Sequence, residues 1–380
     1  MGAPARAVGA MFLVNGVAFG SWVPRLPEVR DSLGIGDAAL GLTLLGAGVG
    51  GVLMSMVSGH VIDRVGSRKA VVSTSVLLSL LIPTVALAPS APVLFGALLA
   101  IGAIDGLTDV AQNSQALVVQ GQIARSILTR MHAAWSVGGL AGGLVASRAA
   151  AAGVSFTSHL TATALVLAAT TMLAGRWLVA SVPRGRDGAR SDRARIPRPR
   201  LALLFGVGVV AILAEMPATE WASLIMAERF DLSAGDAGLG FVAFTTGMVV
   251  GRLGGDRVVD RIGAEAARRG GSLLAALGVV VVALSPSPTV AWAGLLVAGA
   301  GGSTLFPLAI RRAADITVGS SAGVAAFSSG TRAGMLAGSP VMGLLSEATT
   351  RTTALLVIGG IAALVSAAIR LPDPLPPPRP

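Results

Sequence analysis

The chain has no cysteine among its 380 residues, only three histidines, and aromatic side chains at just 4%. Without thiols, disulfides, thiolate metal sites and cysteine nucleophiles are excluded. His60, His132 and His159 show no metal-ligand spacing, and no metal or other cofactor is expected. Alternation typical of strands is missing, and aromatics are too few for the girdles of a membrane barrel. The glycine run Gly46 to Gly51 is not followed by Lys-Ser or Lys-Thr, so it is no phosphate loop and ATP is not the expected energy source. Close helix packing by small residues explains that run better. Acidic residues within the apolar stretches are isolated rather than paired for catalysis, and His132 has no serine partner at its depth. An enzyme is not expected.

What the chain does have is apolar length. Hydrophobic residues make up 53%, charged residues 13%, and the mean hydropathy is +0.76. A soluble domain of this size could not carry that composition without exposing large apolar surface. Twelve apolar stretches are readable, at 6–28, 39–60, 70–88, 92–118, 132–152, 156–180, 201–226, 237–257, 270–286, 289–310, 322–346 and 352–370. Each is of the order of the 17–25 residues that cross a hydrocarbon core. The expected class is therefore all-α integral membrane, with 12 transmembrane helices. The first stretch contains Asn15, Gly16 and Gly20 and no convincing cleavage site, so it reads as a retained helix rather than a signal peptide.

Basic residues set the orientation. With the N-terminus inside, about 22 of the 29 Lys and Arg fall in segments on that side and about five on the other. Both termini are then cytoplasmic, in a bacterial-type inner membrane. Much of the net charge of +10 sits in 183–200, PRGRDGARSDRARIPRPR, with seven Arg against two Asp. This is a cytoplasmic linker that touches anionic lipid, not a nucleic-acid site. No obligate protein partner is evident.

The halves repeat. Trp22 to Gly41 aligns without gaps on Trp221 to Gly240, about 199 residues later, sharing Trp, Arg, Leu and the run Gly-Asp-Ala-x-Leu-Gly. After a shift of two residues, Ile62-Asp63-Arg64-Val65-Gly66 is answered by Val259-Asp260-Arg261-Ile262-Gly263. The expected organisation is an N-terminal six-helix bundle at 1–182, the linker 183–200, a second bundle at 201–370 and a Pro-rich tail at 371–380. Such repeats let two bundles rock about a site at their interface.

Two motifs narrow the reading. Gly59-His60-Val61-Ile62-Asp63-Arg64-Val65-Gly66-Ser67-Arg68-Lys69 resembles the signature between helices two and three of the major facilitator superfamily. In physical terms Gly59 would allow close helix approach, Asp63 would accept from an arginine or a helix N-terminus, and Arg68 and Lys69 would hold the loop inside. The second copy is degraded, with Asp256 in place of the first glycine and the basic pair displaced to Arg268 and Arg269. The stretch Gly106 to Ala116, GLTDVAQNSQA, followed by Met131 to Gly138, MHAAWSVG, is similar to the fucose-permease-like branch and its uncharacterised bacterial inner-membrane relatives. That resemblance implies a proton-coupling role for an acid four residues before an Asn, here Asp109 and Asn113. The acid those porters carry near the outer end of helix one has no counterpart in Gly16 to Val23. Drug antiporters of the superfamily carry a Gly-Pro motif on helix five. Gly138 to Gly143 has the glycines without the proline, which weakens an efflux reading.

Charges at mid-depth cost roughly 2.5–3.5 kcal/mol each and normally face protein or a watery cavity. The candidates for substrate or proton binding are Asp105, Asp109, Asn113, Glu215, Glu220, Arg332 and Asn15. Asp105 has two readings, neutralising Arg332 or coupling directly; for Asp109 the alternative is a hydrogen bond to the start of helix five. Glu215 precedes Met216-Pro217, and a proline frees backbone groups beside a site. Glu220, about 140° further round the helix, faces elsewhere, as an outer-gate or interfacial group. Gating candidates are Gly59, Asp63, Arg64, Gly66, Arg68, Lys69, His132, Trp135, Asp260 and Arg261. Arg252 and Asp256, at i and i+4, read as a structural ion pair. Trp22 and Trp221 read as anchors or packing groups. The expected function is secondary active transport of a small polar solute by alternating access, with the proton as coupling ion in symport. The alternatives are a proton-coupled drug or metabolite efflux antiporter and, from another class, a membrane solute sensor.

Overall fold

The computed structural model describes residues 2–123, 127–180, 196–317 and 322–372, with Thr129 described by its backbone alone. Most of the expected basic linker and residues 373–380 of the tail lie outside them. In lipid every backbone group must find a partner within the protein, which selects helices here. Among the described residues there is no strand and there are twelve long helical segments: α1 (Ala3–Leu33), α2 (Asp37–Val65), α3 (Ser67–Leu87), α4 (Ala91–Ile123), α5 (Leu128–Ala151), α6 (Phe156–Trp177), α7 (Arg198–Phe230), α8 (Ala234–Ile262), α9 (Ala264–Leu284), α10 (Pro288–Ile316), α11 (Ala322–Ala348) and α12 (Arg351–Ala368). Ten are long and apolar enough to cross a membrane by composition. The other two, α5 and α11, have 24 and 27 residues, ample length, but are diluted by Gly, Ser and Arg.

Prolines interrupt particular helices. α1 tightens into a 3₁₀ turn at Val23–Arg25, which contains Pro24 and is followed two residues later by Pro27. α7 is broken at 214–215, just before Pro217, and α10 at 303–304, before Pro307. α12 contains a π turn at Leu356–Gly360. The first residues of α7, Arg198–Arg200, come from the end of the expected linker.

The repeat extends to dihedral angles. α2 and α8 end at Gly66 (φ 81°, ψ 145°) and Gly263 (φ 82°, ψ 158°), and each glycine also opens the next helix. A side chain is strained at such a φ, so the Asp-Arg-x-Gly run ends in glycine in both copies.

Glycine also sets which helices touch. Gly46 and Gly50 of α2 face the carbonyls of Phe95 and Leu99 on α4, and Gly247 and Gly251 of α8 face those of Leu296 and Ala300 on α10. Gly16 and Gly20 of α1 meet the backbone of α5 at Trp135 and Gly139; Gly208 of α7 meets that of α11 at Phe327. A Cβ at Gly16, Gly20, Gly50, Gly208 or Gly247 would collide with a main-chain oxygen. Gly59 corrects the sequence expectation: open space surrounds it, so close helix approach is not its role.

By contacts the chain groups into Met1–Arg186 with Ala222–Thr245, and Asp187–Trp221 with Thr246–Pro380. In the first unit, Trp22 and Trp135 flank Phe19 at centroid distances of 6.0 and 5.8 Å, and Phe241 lies 6.2 Å from it. In the second, Leu204, Val207, Ala309, Ala313 and Phe327 form a buried cluster.

Overpacking a tight contact costs about 1–3 kcal/mol. Gly50→Leu is expected to lower the apparent melting temperature of the purified protein by several degrees, whereas Gly59→Leu leaves it within error. Thermal unfolding of both variants in one detergent checks the pair.

Candidate functional site

In the first unit the site begins at the α1–α5 glycine contact. Because Gly16 admits the α5 backbone at Trp135, the neighbouring Asn15 meets the indole, whose Nε1 donates to Asn15 Oδ1 at 2.7 Å. The same amide donates from Nδ2 to Asp105 Oδ1 on α4 at 2.6 Å. Asn15 is only 6% exposed and both ends of its amide are used. Three helices are thus joined by one side chain, and Asp105, half-buried, keeps its second oxygen without a protein partner among the described residues.

One turn further, Asp109 is exposed and accepts from Asn113 Nδ2 at 2.9 Å, with Gln112 Nε2 at 3.4 Å. Asn113 also donates to the Asp109 carbonyl at 2.8 Å. The i, i+4 spacing therefore makes a local pair. Gln112 is buried with its Oε1 unpartnered. His132, at the start of α5, is exposed and packs edge-on against Phe12 at 5.3 Å.

In the second unit Glu215 occupies the α7 break, where Pro217 cannot supply a backbone N–H. Its Oε1 lies 3.9 Å from Arg252 Nη2 on α8. This corrects the i, i+4 expectation: Arg252 reaches across to the acid of a broken helix instead of to Asp256, which is exposed. A carboxylate left alone in this setting costs more than a local surface pair returns. Glu220 accepts a short hydrogen bond from Ser339 Oγ on α11, immediately before the in-helix Pro340. The two glutamates therefore serve different helices. Arg332 is exposed on α11.

The structure brings Asn15, Asp105 and Trp135 into one network and Asp109 and Asn113 into another, while Glu215 and Glu220 take separate partners. Trp135, expected at a gate, is a member of the first network. Among the gating candidates, Asp63, Arg64, Lys69, Asp260 and Arg261 are exposed. The partner expected for Asp63 is absent among the described residues. Arg68 instead donates to the carbonyls ending α6, from Nε to Gly175 at 3.2 Å and from Nη2 to Arg176 at 3.3 Å. Sequence reasoning missed Ser339 and the reach of Arg252. The only available signal for Ser339 was a hydroxyl directly before a mid-helix proline. Chemically these carboxylates can exchange protons or accept from donor groups of a solute.

Comparison with known proteins agrees with this architecture. A model of the Major Facilitator Superfamily matches residues 203–380. An uncharacterized transporter of Sinorhizobium fredii, y4wD, is 30% identical over 370 residues, 96% of each chain. Among solved structures, the nucleoside transporter NupG superposes with a TM-score of 0.76 at 14% identity, over 97% of this chain and 98% of that one. The E. coli fucose:proton symporter FucP gives 0.63 at 17%, over 96% and 97%. At those identities the structural likeness speaks to fold alone; the relative at 30% over nearly the whole length of both chains goes further. This chain belongs to the Major Facilitator Superfamily and is a multi-pass membrane transporter.

Proposed function

We propose that the chain moves a small polar solute across a bacterial inner membrane by alternating access of bundles 1–182 and 201–370, in symport with protons. The observation that carries the reading is the Trp135–Asn15–Asp105 chain, which fixes a carboxylate from three helices while leaving one of its oxygens open. A carboxylate so held can trade a proton for a donor group of the solute. Asp109 and the pair Glu215–Arg252 offer further positions where charge changes with a bound proton. Within the second unit, Glu220 and Arg332 are the remaining polar candidates for this role. Both termini face the cytoplasm in this reading, following the basic segments.

The solute panel begins with nucleosides, fucose and xylose, because solved proteins of the same fold are named for them. Sugars, organic acids and amino acids follow. The reconstituted protein is expected to acidify the vesicle lumen when its solute is added outside. Asp105→Asn should remove that acidification while solute–solute counterflow persists. Retention of full proton movement by Asp105→Asn, Asp109→Asn and Glu215→Gln, each alone, would sink proton coupling through these acids.

Hydrogen bonds to charged groups contribute about 1.5–3 kcal/mol. Asn15→Ala should therefore weaken half-saturation for the transported solute by about tenfold or more. Trp135→Phe, which removes only the indole donor, should have the smaller effect of the two. Initial rates of counterflow against solute concentration supply the comparison.

A further inference from the structure

Each repeat ends in a short non-helical segment that the sequence reads as the last turn of a span. α6 stops at Trp177 and α12 at Ala368, and the following residues pack against their own unit. In the first unit Leu178 is 3% exposed, inside a cluster with Phe12 of α1, Ala111 and Val119 of α4 and Met131 of α5. Arg68 of α3 caps the carbonyls of Gly175 and Arg176, and buried Gln115 of α4 donates to the Val179 carbonyl at 2.9 Å. Gln115 also donates to Ser67 Oγ at 2.9 Å, tying the segment to the start of α3.

The second unit makes the same construction from different residues. Ile369 and Leu371 pack on the cluster formed by Leu204 and Val207 of α7, Ala313 of α10 and Phe327 of α11. Arg268 of α9, 3% exposed, donates from Nη1 to the Ser366 carbonyl and from Nη2 to that of Ile369 at 2.9 Å. Arg312 of α10 donates to the Pro372 carbonyl at 2.9 Å. Counting from the paired glycines, Gly66 and Gly263, the residue matching Arg68 is Glu265. Glu265 holds Arg268 at 3.0 and 2.8 Å, one turn on, so the arginine that looked displaced in sequence performs the same capping task. A guanidinium suits this task because the last carbonyls of a helix lack donors and carry the negative end of its dipole.

We infer that Arg68 and Arg268 are positioning residues: each fastens a terminal segment beneath the helices that bear the polar networks, so that within a repeat those helices move as one body. The first segment lies under α1, α4 and α5, which carry Asn15, Asp105 and Trp135. The second lies against α7 and α11, which carry Glu215, Glu220 and Ser339, and against α10, which carries none of them. The Asn15 bonds, at 2.6 and 2.7 Å, tolerate little relative sliding of their three helices. The purpose assigned to the latches rests on the transporter reading; their existence as mechanical couplings does not.

Amide hydrogen exchange of the full-length protein in detergent tests the coupling without any solute. Arg68→Ala is expected to speed exchange about tenfold at the ends of α1, α4 and α5 that share the apolar cluster of Leu178, and to leave α7, α10 and α11 as in the parent. Arg268→Ala should give the mirror pattern. Arg68→Lys, able to reach only one carbonyl at a time, should restore part of the protection. Leu178→Ala and Leu371→Ala, milder changes, should reproduce the same half-specific patterns if an arginine variant fails to fold. Unchanged exchange in all of these, or an increase spread evenly over both repeats, would overturn the inference. Because no flux is measured, failure here is separable from failure of the transport reading.

Discussion

Backbone meeting backbone at glycine is the constraint on which this molecule rests. In a bilayer, apolar side chains gain little by leaving lipid for protein, so helices associate through close van der Waals contact. Where Gly16 and Gly20 let α1 touch α5, the side chains beside the contact are brought within hydrogen-bond distance. Asn15 then reaches Trp135 and Asp105 because the helix axes have already been drawn together. The polar network is a consequence of a spacing set by hydrogen atoms. The same logic acts between α2 and α4 and recurs between α7 and α11 and between α8 and α10.

Placing carboxylates in such a bundle has a cost, and the chain distributes it among different kinds of partner. Asp105 takes an amide, Asp109 an amide one turn on, Glu220 a hydroxyl and Glu215 a distant guanidinium. None of these arrangements saturates both oxygens with strong ionic bonds. A tight bidentate ion pair does occur, between Arg25 and Glu28 at 2.5 and 2.6 Å, near the kink of α1 and away from the acids just named. There the guanidinium also covers the Phe156 ring at 4.9 Å, an arrangement suited to holding rather than exchanging.

Much of this was legible in the sequence because charged and amide side chains are rare within apolar stretches. Asn15, Asp105, Asp109 and Glu215 stood out for that reason, and Pro217 announced the break in α7. All twelve helices were read as apolar stretches of spanning length, α5 and α11 among them although Gly, Ser and Arg dilute their hydropathy. Partner choice was not legible. Arg252 had an acid at i+4, and local spacing cannot reveal that a broken neighbouring helix offers another acid. Serine is common in membrane helices, so nothing but its proline neighbour distinguished Ser339. Gly59 misled for the opposite reason: a motif glycine suggests contact, yet its surroundings are open. Arg268 looked like a motif out of place until the carbonyls it caps were visible in space.

The π turn in α12 has an angular consequence. A π turn inserts one extra residue into the hydrogen-bond ladder, and each residue of an α-helix advances the face by about 100°. All that follows Leu356–Gly360 is therefore rotated by more than a quarter turn from where a regular helix would present it. Ser366 and Ile369, the residues whose carbonyls Arg268 takes, lie downstream of that rotation. The azimuth at which α12 hands its end to α9 is thus decided several residues earlier, in a segment that makes none of those bonds.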